Sequence, residues 1–135
     1  NVHIAGIRTS DIDQKKAIEE SSNVSVSHAH HDSSYPAITS DTIHLSIDVD
    51  VLDPSIIPHT GTPEPGGITY KQLCTQLSDI FQRYTVNSVD IVEFAPDTNE
   101  PSLLQSQAYS LAKLCYHIMG LKILHQHQDS YTHRE

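Results

Sequence analysis

Two aspartates one residue apart, Asp48 and Asp50, are the pair whose type and spacing most invite chemistry. They stand in the run Ile-His-Leu-Ser-Ile-Asp-Val-Asp-Val-Leu-Asp-Pro, residues 43–54. Ile43, Leu45, Ile47, Val49 and Val51 alternate with His44, Ser46, Asp48 and Asp50, a period of two that predicts a β-strand. Positions i and i+2 of a strand share a face, so the two carboxylates are expected side by side. No other run is so apolar, and a central strand is expected. On a buried strand two such groups repel each other and lose hydration. A proton, an Arg or Lys, or a divalent cation would neutralise them. The nearest cations in sequence, Arg8 and Lys71, are not adjacent. A hard metal held by oxygen ligands is the sharper reading. A strand simply giving way to a turn is the plainer one.

The elements around the pair set its place. Asp53-Pro54 stops the strand, because Pro restricts its predecessor and cannot extend a ladder. A long loop, residues 55–67, follows with Pro58, Gly61, Pro63, Pro65, Gly66 and Gly67. The acids thus sit where a strand hands over to a loop, the edge at which open α/β sheets bind ligands. Residues 86–94 predict another strand, with Glu93 near its end. By itself Glu93 reads equally as a rim charge, but parallel strands finish on one edge, which sets it beside Asp48 and Asp50. His59, in the loop, reads as solvent-facing, with a pocket mouth as the alternative. A helix is predicted from Thr69, where Thr69 and Gln72 fit a capping box. Its Tyr70, Leu73, Leu77, Ile80, Phe81 and Tyr84 form an apolar stripe.

Residues 2–7 predict a strand closed by Arg8, residues 10–20 a surface helix and residues 23–28 a second strand, together a βαβ unit. His28, His30, His31 and Asp32 offer four potential ligands in five residues. They read as a solvated strand end, with weak nickel or zinc binding as the alternative. A last helix, residues 101–119, carries Leu103, Leu104, Ala108, Leu111, Leu114, Cys115 and Ile118, with Gly120 as its stop. Residues 121–135 read as a polar, flexible tail. No Gly-rich phosphate loop is present, and no Ser-His-Asp order or Cys-His pair stands out.

The 135 residues suit one domain, and a net charge of −9 argues against nucleic acid and anionic membrane surfaces as partners. Ten histidines soften that charge near pH ~6. Two isolated cysteines make no disulfide framework, which points to a reducing compartment. There is no membrane-spanning run and no signal-peptide pattern. Starting at Asn1 rather than Met suggests processing or a piece of a longer polypeptide.

Residues 46–54, Ser-Ile-Asp-Val-Asp-Val-Leu-Asp-Pro, and 60–69, Thr-Gly-Thr-Pro-Glu-Pro-Gly-Gly-Ile-Thr, resemble the third signature of the ureohydrolases. That family includes arginase, agmatinase, guanidinobutyrase and formimidoylglutamase. The resemblance covers most of residues 1–120, the C-terminal half of a family member. It implies an α/β fold, a three-layer α/β/α sandwich with a mainly parallel sheet, here incomplete. It implies two Mn ions at the strand ends. Asp48 matches the aspartate that bridges both ions, and Asp50 matches one that ligates a single ion. Glu93, in Val-Glu-Phe-Ala-Pro, matches the glutamate that pairs with a guanidinium or amidine. The implied activity is hydrolysis of linear guanidino or amidino compounds by a hydroxide bridging the two ions. A metal-bound aspartate, Asp48 as the catalytic carboxylate, then carries a proton to the leaving amine. The loop Gly-Thr-Pro-Glu-Pro-Gly-Gly leans toward agmatinase (agmatine to putrescine and urea) or guanidinobutyrase over arginase; formimidoylglutamase stays open. A homo-oligomer at full length and a cytoplasmic, or else mitochondrial, location are also implied.

The departures are specific. The family's first signature supplies a His ligand and its second a His and two Asp ligands, and neither occurs here. The chain alone is therefore expected to be inactive, and a non-catalytic fragment or scaffold is the rival from another class. A phosphatase with an Asp-x-Asp nucleophile would need Gly-Thr where Val51-Leu52 stand, and a Ca-binding loop is spoiled by the same two residues.

Overall fold

A computed structural model describes residues 1–28 and 40–132. Strand β1 (Val2–Ile7) is followed by α1 (Ile12–Glu20) and β2 (Val24–His28). Then come β3 (Thr42–Asp48), a single 3₁₀ turn (Val49–Val51), α2 (Tyr70–Arg83), β4 (Thr85–Val92) and α3 (Pro101–Thr132). The chain is α/β, as expected, and its strands pair in parallel: β1 with β2 and β3 with β4. The two pairs form separate two-stranded ladders. The expectation of β3 as a central strand is corrected accordingly. Among the described residues its one strand neighbour is β4.

Helix starts follow local chemistry. Asp11 caps α1 in a capping box with Gln14, and Thr69 caps α2 in one with Gln72, so free backbone N–H groups find side-chain acceptors. Helix α1 buries none of its residues, the surface helix its composition predicts. Helix α2 buries Leu73, Leu77 and Phe81. These pack with Ile47, Val86, Leu114 and Ile118 into one core. The buried stripe of α3 advances through Gln107, Leu114 and Ile118, with Leu104 and Leu111 partly covered. Leu103, Ala108 and Cys115, expected on that face, are exposed.

Gly120 does not stop α3, which continues to Thr132. A glycine inside a helix costs only about 1 kcal/mol, which weakens a helix without ending it. Among the described residues no helix is long and apolar enough to cross a membrane. Of the histidine cluster, His28 ends β2 and the others lie outside the described residues.

Loop 53–67 is drawn together at its base. Asp53 N–H donates to the Ile68 carbonyl at 3.1 Å, and Ile68 N–H to the Val51 carbonyl at 2.9 Å. The Asp53 carboxylate accepts from Ser55 N at 3.0 Å, Ser55 Oγ at 2.6 Å and Gly66 N at 3.0 Å, joining the loop's two ends. The two backbones cross at Gly67, where a Cβ would stand 2.3 Å from Asp53 N. Glycine is required there by the close approach itself.

Candidate active site

Asp48 is the last residue of β3 and lies opposite Val92, the last of β4. The parallel register therefore delivers Asp48 and Glu93 to one edge. Asp50 is not on the strand, which corrects the expectation of two acids sharing a strand face. The strand ends because Asp48 caps the 3₁₀ turn, its carboxylate accepting from Asp50 N–H at 3.1 Å. The turn, not the pleat, sets the acids together. Asp48 and Glu93 are exposed and Asp50 is half-buried, so the site is a rim rather than the buried strand expected.

The electrostatics record the crowding. Desolvation raises the pKa of Asp50 above its ordinary value, as do the Asp48 charge and a hydrogen bond between the two carboxyls. Arg8 opposes this and Glu93 adds to it. Arg8, not adjacent in sequence, is adjacent in space. Its guanidinium donates to the backbone carbonyls of Asp50 and, at 3.1 Å, of Val51. It thus holds the turn in shape and forms no ion pair with either carboxylate among the described residues. Gly6, a bulge residue at φ +87°, brings β1 close: a Cβ there would meet Val51 Cγ2 at 2.8 Å.

Glu93 also lies beyond its strand, which ends at Val92 and not at Phe94 as expected. It takes a φ of +66°, the only non-glycine positive φ among the described residues. That conformation costs an L-residue roughly 1–2 kcal/mol. Its Oε2 lies 3.4 Å from where a Cβ on Gly61 would stand, so the carboxylate sits against the loop at Gly61. Beside it, Thr60 Oγ1 is buried and without a hydrogen-bond partner.

His59 is not the solvent-facing loop residue that the sequence suggested. Its side chain is 13% exposed and is held by Gln107, itself 1% exposed on α3. Gln107 leaves a signal in the sequence. Positions 104, 107, 111, 114 and 118 follow helical spacing, and Gln107 is the polar residue in an otherwise apolar stripe. A second grouping surrounds His44. Ser88 Oγ lies 2.7 Å from His44 Nδ1, and Asp90 Oδ2 lies 3.0 Å from His44 Nε2. With His44 and Asp90 about half exposed, this is a surface cross-strand pairing.

A profile of the Arginase family matches residues 1–120. The chain belongs to the arginase family. It is 38% identical over 80 residues to the N(1)-aminopropylagmatine ureohydrolase of Thermus thermophilus, a match covering 59% of this chain and 26% of that enzyme. It is 37% identical over 79 residues to the agmatinase of Pyrococcus horikoshii, covering 58% of this chain and 26% of that protein. The crystal structure of Bacillus subtilis arginase superposes with a TM-score of 0.69 at 27% identity, over 89% of this chain and 44% of that one. The arginase from Entamoeba histolytica gives 0.68 at 26% identity, over 87% and 42%. The matches thus span about a quarter of the related enzymes' length by sequence and under half by structure. The fold of this arginase-family chain is arginase-like and partial.

The donor chemistry can be tested against the Mn ions the family resemblance implies. Asp48 and Asp50 present carboxylate oxygens, which suit a hard divalent cation. The raised pKa of Asp50 reflects desolvation first and then the neighbouring Asp48 charge, which a cation would relieve. Among the described residues, however, no group of three or more His, Cys, Asp or Glu converges on a metal-sized site. Two carboxylates suit the chemistry of such an ion but do not by themselves make up its site.

Proposed function

We propose that this chain is the C-terminal half, residues 1–120, of a ureohydrolase that cleaves C–N bonds of linear guanidino or amidino compounds, agmatine being the favoured substrate. The observation that carries this reading is the convergence of Asp48, Asp50 and Glu93 at one strand edge in an arginase-family chain. Relatives named for agmatine, aminopropylagmatine and arginine chemistry support the substrate class. The agmatine preference rests on loop 61–67.

Asp48 and Asp50 would hold Mn, with the remaining ligands outside this chain. When bound, the metal supplies Lewis acidity that makes water a nucleophile near neutral pH. The residues of this chain do the rest. Glu93 pairs its carboxylate with the planar cation by charge-assisted hydrogen bonds, fixing the carbon to be attacked. Asp48 carries a proton to the leaving amine. Arg8 keeps the Asp50 turn in shape without competing for the carboxylates. Alone, the 135-residue chain supplies too few ligands to turn over. That partial donor set also favours a second reading, a scaffold that keeps the fold without catalysis.

The test is Asp48→Ala and Asp50→Ala in the full-length polypeptide, read as Mn-dependent urea release and as Mn bound per chain. Loss of both is expected in each variant. Wild-type kcat in either variant overturns the assignment. A full-length protein that binds no Mn leaves the scaffold reading in place.

A further inference from the structure

Loop 55–67 and the segment after Glu93 are joined at one residue, His59, and the logic of that junction is fixed by donors that cannot reverse. Gln107 is 1% exposed, and a buried amide must find partners for both its ends. The backbone N–H of His59 can only donate, and it points at one end of the amide at 3.2 Å, so that end is Oε1. The other end is therefore Nε2. It donates to the Leu103 carbonyl at 3.2 Å and faces His59 Nδ1 at 3.0 Å. The backbone N–H of Asp97 also points at Nδ1, at 3.3 Å. Two donors converge on one ring nitrogen, so Nδ1 carries no proton and the neutral ring holds its hydrogen on Nε2. Nε2 faces Glu100 Oε2 at 3.5 Å. Finally, the His59 carbonyl accepts from Ala95 N–H at 3.0 Å.

His59 thus grips the chain at Ala95 and at Asp97, directly beyond the residue held at φ +66°. A strained conformation persists only where its surroundings over-determine it. Two residues further along the same loop, Gly61 lies under the Glu93 carboxylate. The backbone after Glu93 and its side-chain tip therefore rest on one short stretch of loop, which Gln107 anchors to α3.

We propose that His59, seated on Gln107, is a positioning residue that latches the Glu93 turn and sets where the guanidinium-binding carboxylate stands. The functional half of this proposal rests on the reading of Glu93 given above; the latch itself does not.

The two halves are read separately. In the unmodified chain, ¹⁵N imidazole shifts should show Nδ1 unprotonated and Nε2 protonated for His59 near neutral pH. The opposite tautomer overturns the latch. His59→Leu should accelerate amide exchange at Asp97, with Ala95 less affected because its partner is the His59 backbone carbonyl, while His59→Asn, whose Oδ1 can take the place of Nδ1, should restore protection at Asp97. Unchanged exchange in His59→Leu also overturns the latch. In the full-length protein, His59→Leu should raise KM for agmatine about tenfold, the scale of one misplaced hydrogen bond, with a smaller change in kcat and unchanged Mn binding. His59→Asn should recover most of the affinity. Faster exchange with an unchanged KM reduces His59 to packing and overturns its positioning role. Should Glu93→Gln itself leave kcat/KM unaltered, the substrate role of Glu93 falls, while the tautomer and exchange results still decide the latch.

Discussion

The guanidinium of Arg8 donates to the carbonyl of Val51 at 3.1 Å across 43 residues of sequence. The same carbonyl accepts from Ile68 N–H, so its two lone pairs tie the Asp50 turn to β1 on one side and to the base of the loop on the other. A second guanidinium nitrogen takes the Asp50 carbonyl. Arg8→Ala would leave both carbonyls without this charged donor. A loss of about 1.5–3 kcal/mol is expected, the range for hydrogen bonds involving a charged group. Arg8→Lys should recover less than half, because a single ammonium cannot reproduce the fork. Urea denaturation of the chain measures both, and an Arg8→Ala midpoint equal to wild type would refute the role.

Asp53 gives a pH dependence of defined sign. Its carboxyl titrates below the ordinary value of 3.8 because Ser55 Oγ, then Ser55 N–H, then Gly66 N–H donate to the charged form. A carboxyl whose folded pKa is depressed stabilises the fold above its unfolded pKa and loses that contribution as pH falls through the folded value. Stability should therefore decline on acidification below the ordinary Asp range, and Asp53→Asn should flatten that part of the decline. Denaturant midpoints measured down the acid range for both proteins provide the comparison. Parallel curves would assign the acid sensitivity elsewhere.

How far the sequence carried this reading depended on the kind of information each residue holds. The capping box at Thr69 and the stripe through Leu73, Leu77 and Phe81 are local patterns, and local patterns were legible. The convergence of Glu93 with the aspartates followed from parallel strands sharing an edge. Alternation alone mistook the Asp48-x-Asp50 stretch for continuous strand. Val49 and Val51 fit either a pleat or a turn, and what decided was the Asp48 carboxylate capping Asp50 N–H. The positive φ of Glu93 left no trace in composition, since glutamate has no preference for that conformation. The Arg8 and Gln107 contacts join residues more than forty positions apart, and neither hydrophobic period nor turn chemistry encodes such pairings.

Glu93 offers the sharpest separation of stability from function. Glu93→Gln keeps the shape of the side chain and its seat over Gly61 but removes the charge. If the carboxylate pairs with a guanidinium, kcat/KM for agmatine in the full-length protein should fall by one to two orders of magnitude, about the value of a charge-assisted hydrogen bond, and mainly through KM. Folding stability should hardly move, because the native carboxylate lies exposed. Glu93→Gly makes the opposite test. It relieves a left-handed conformation costing roughly 1–2 kcal/mol and adds about 0.5–1 kcal/mol of unfolded-chain entropy. The first term equals or exceeds the second, so the glycine variant should fold as stably as wild type, or up to about 1.5 kcal/mol more so, while losing substrate recognition entirely. Residues held in strain for function gain stability and lose activity when the strain is released. If Glu93→Gly is instead markedly destabilised, the side chain itself supports the fold. If it is fully active, the carboxylate does not meet the substrate.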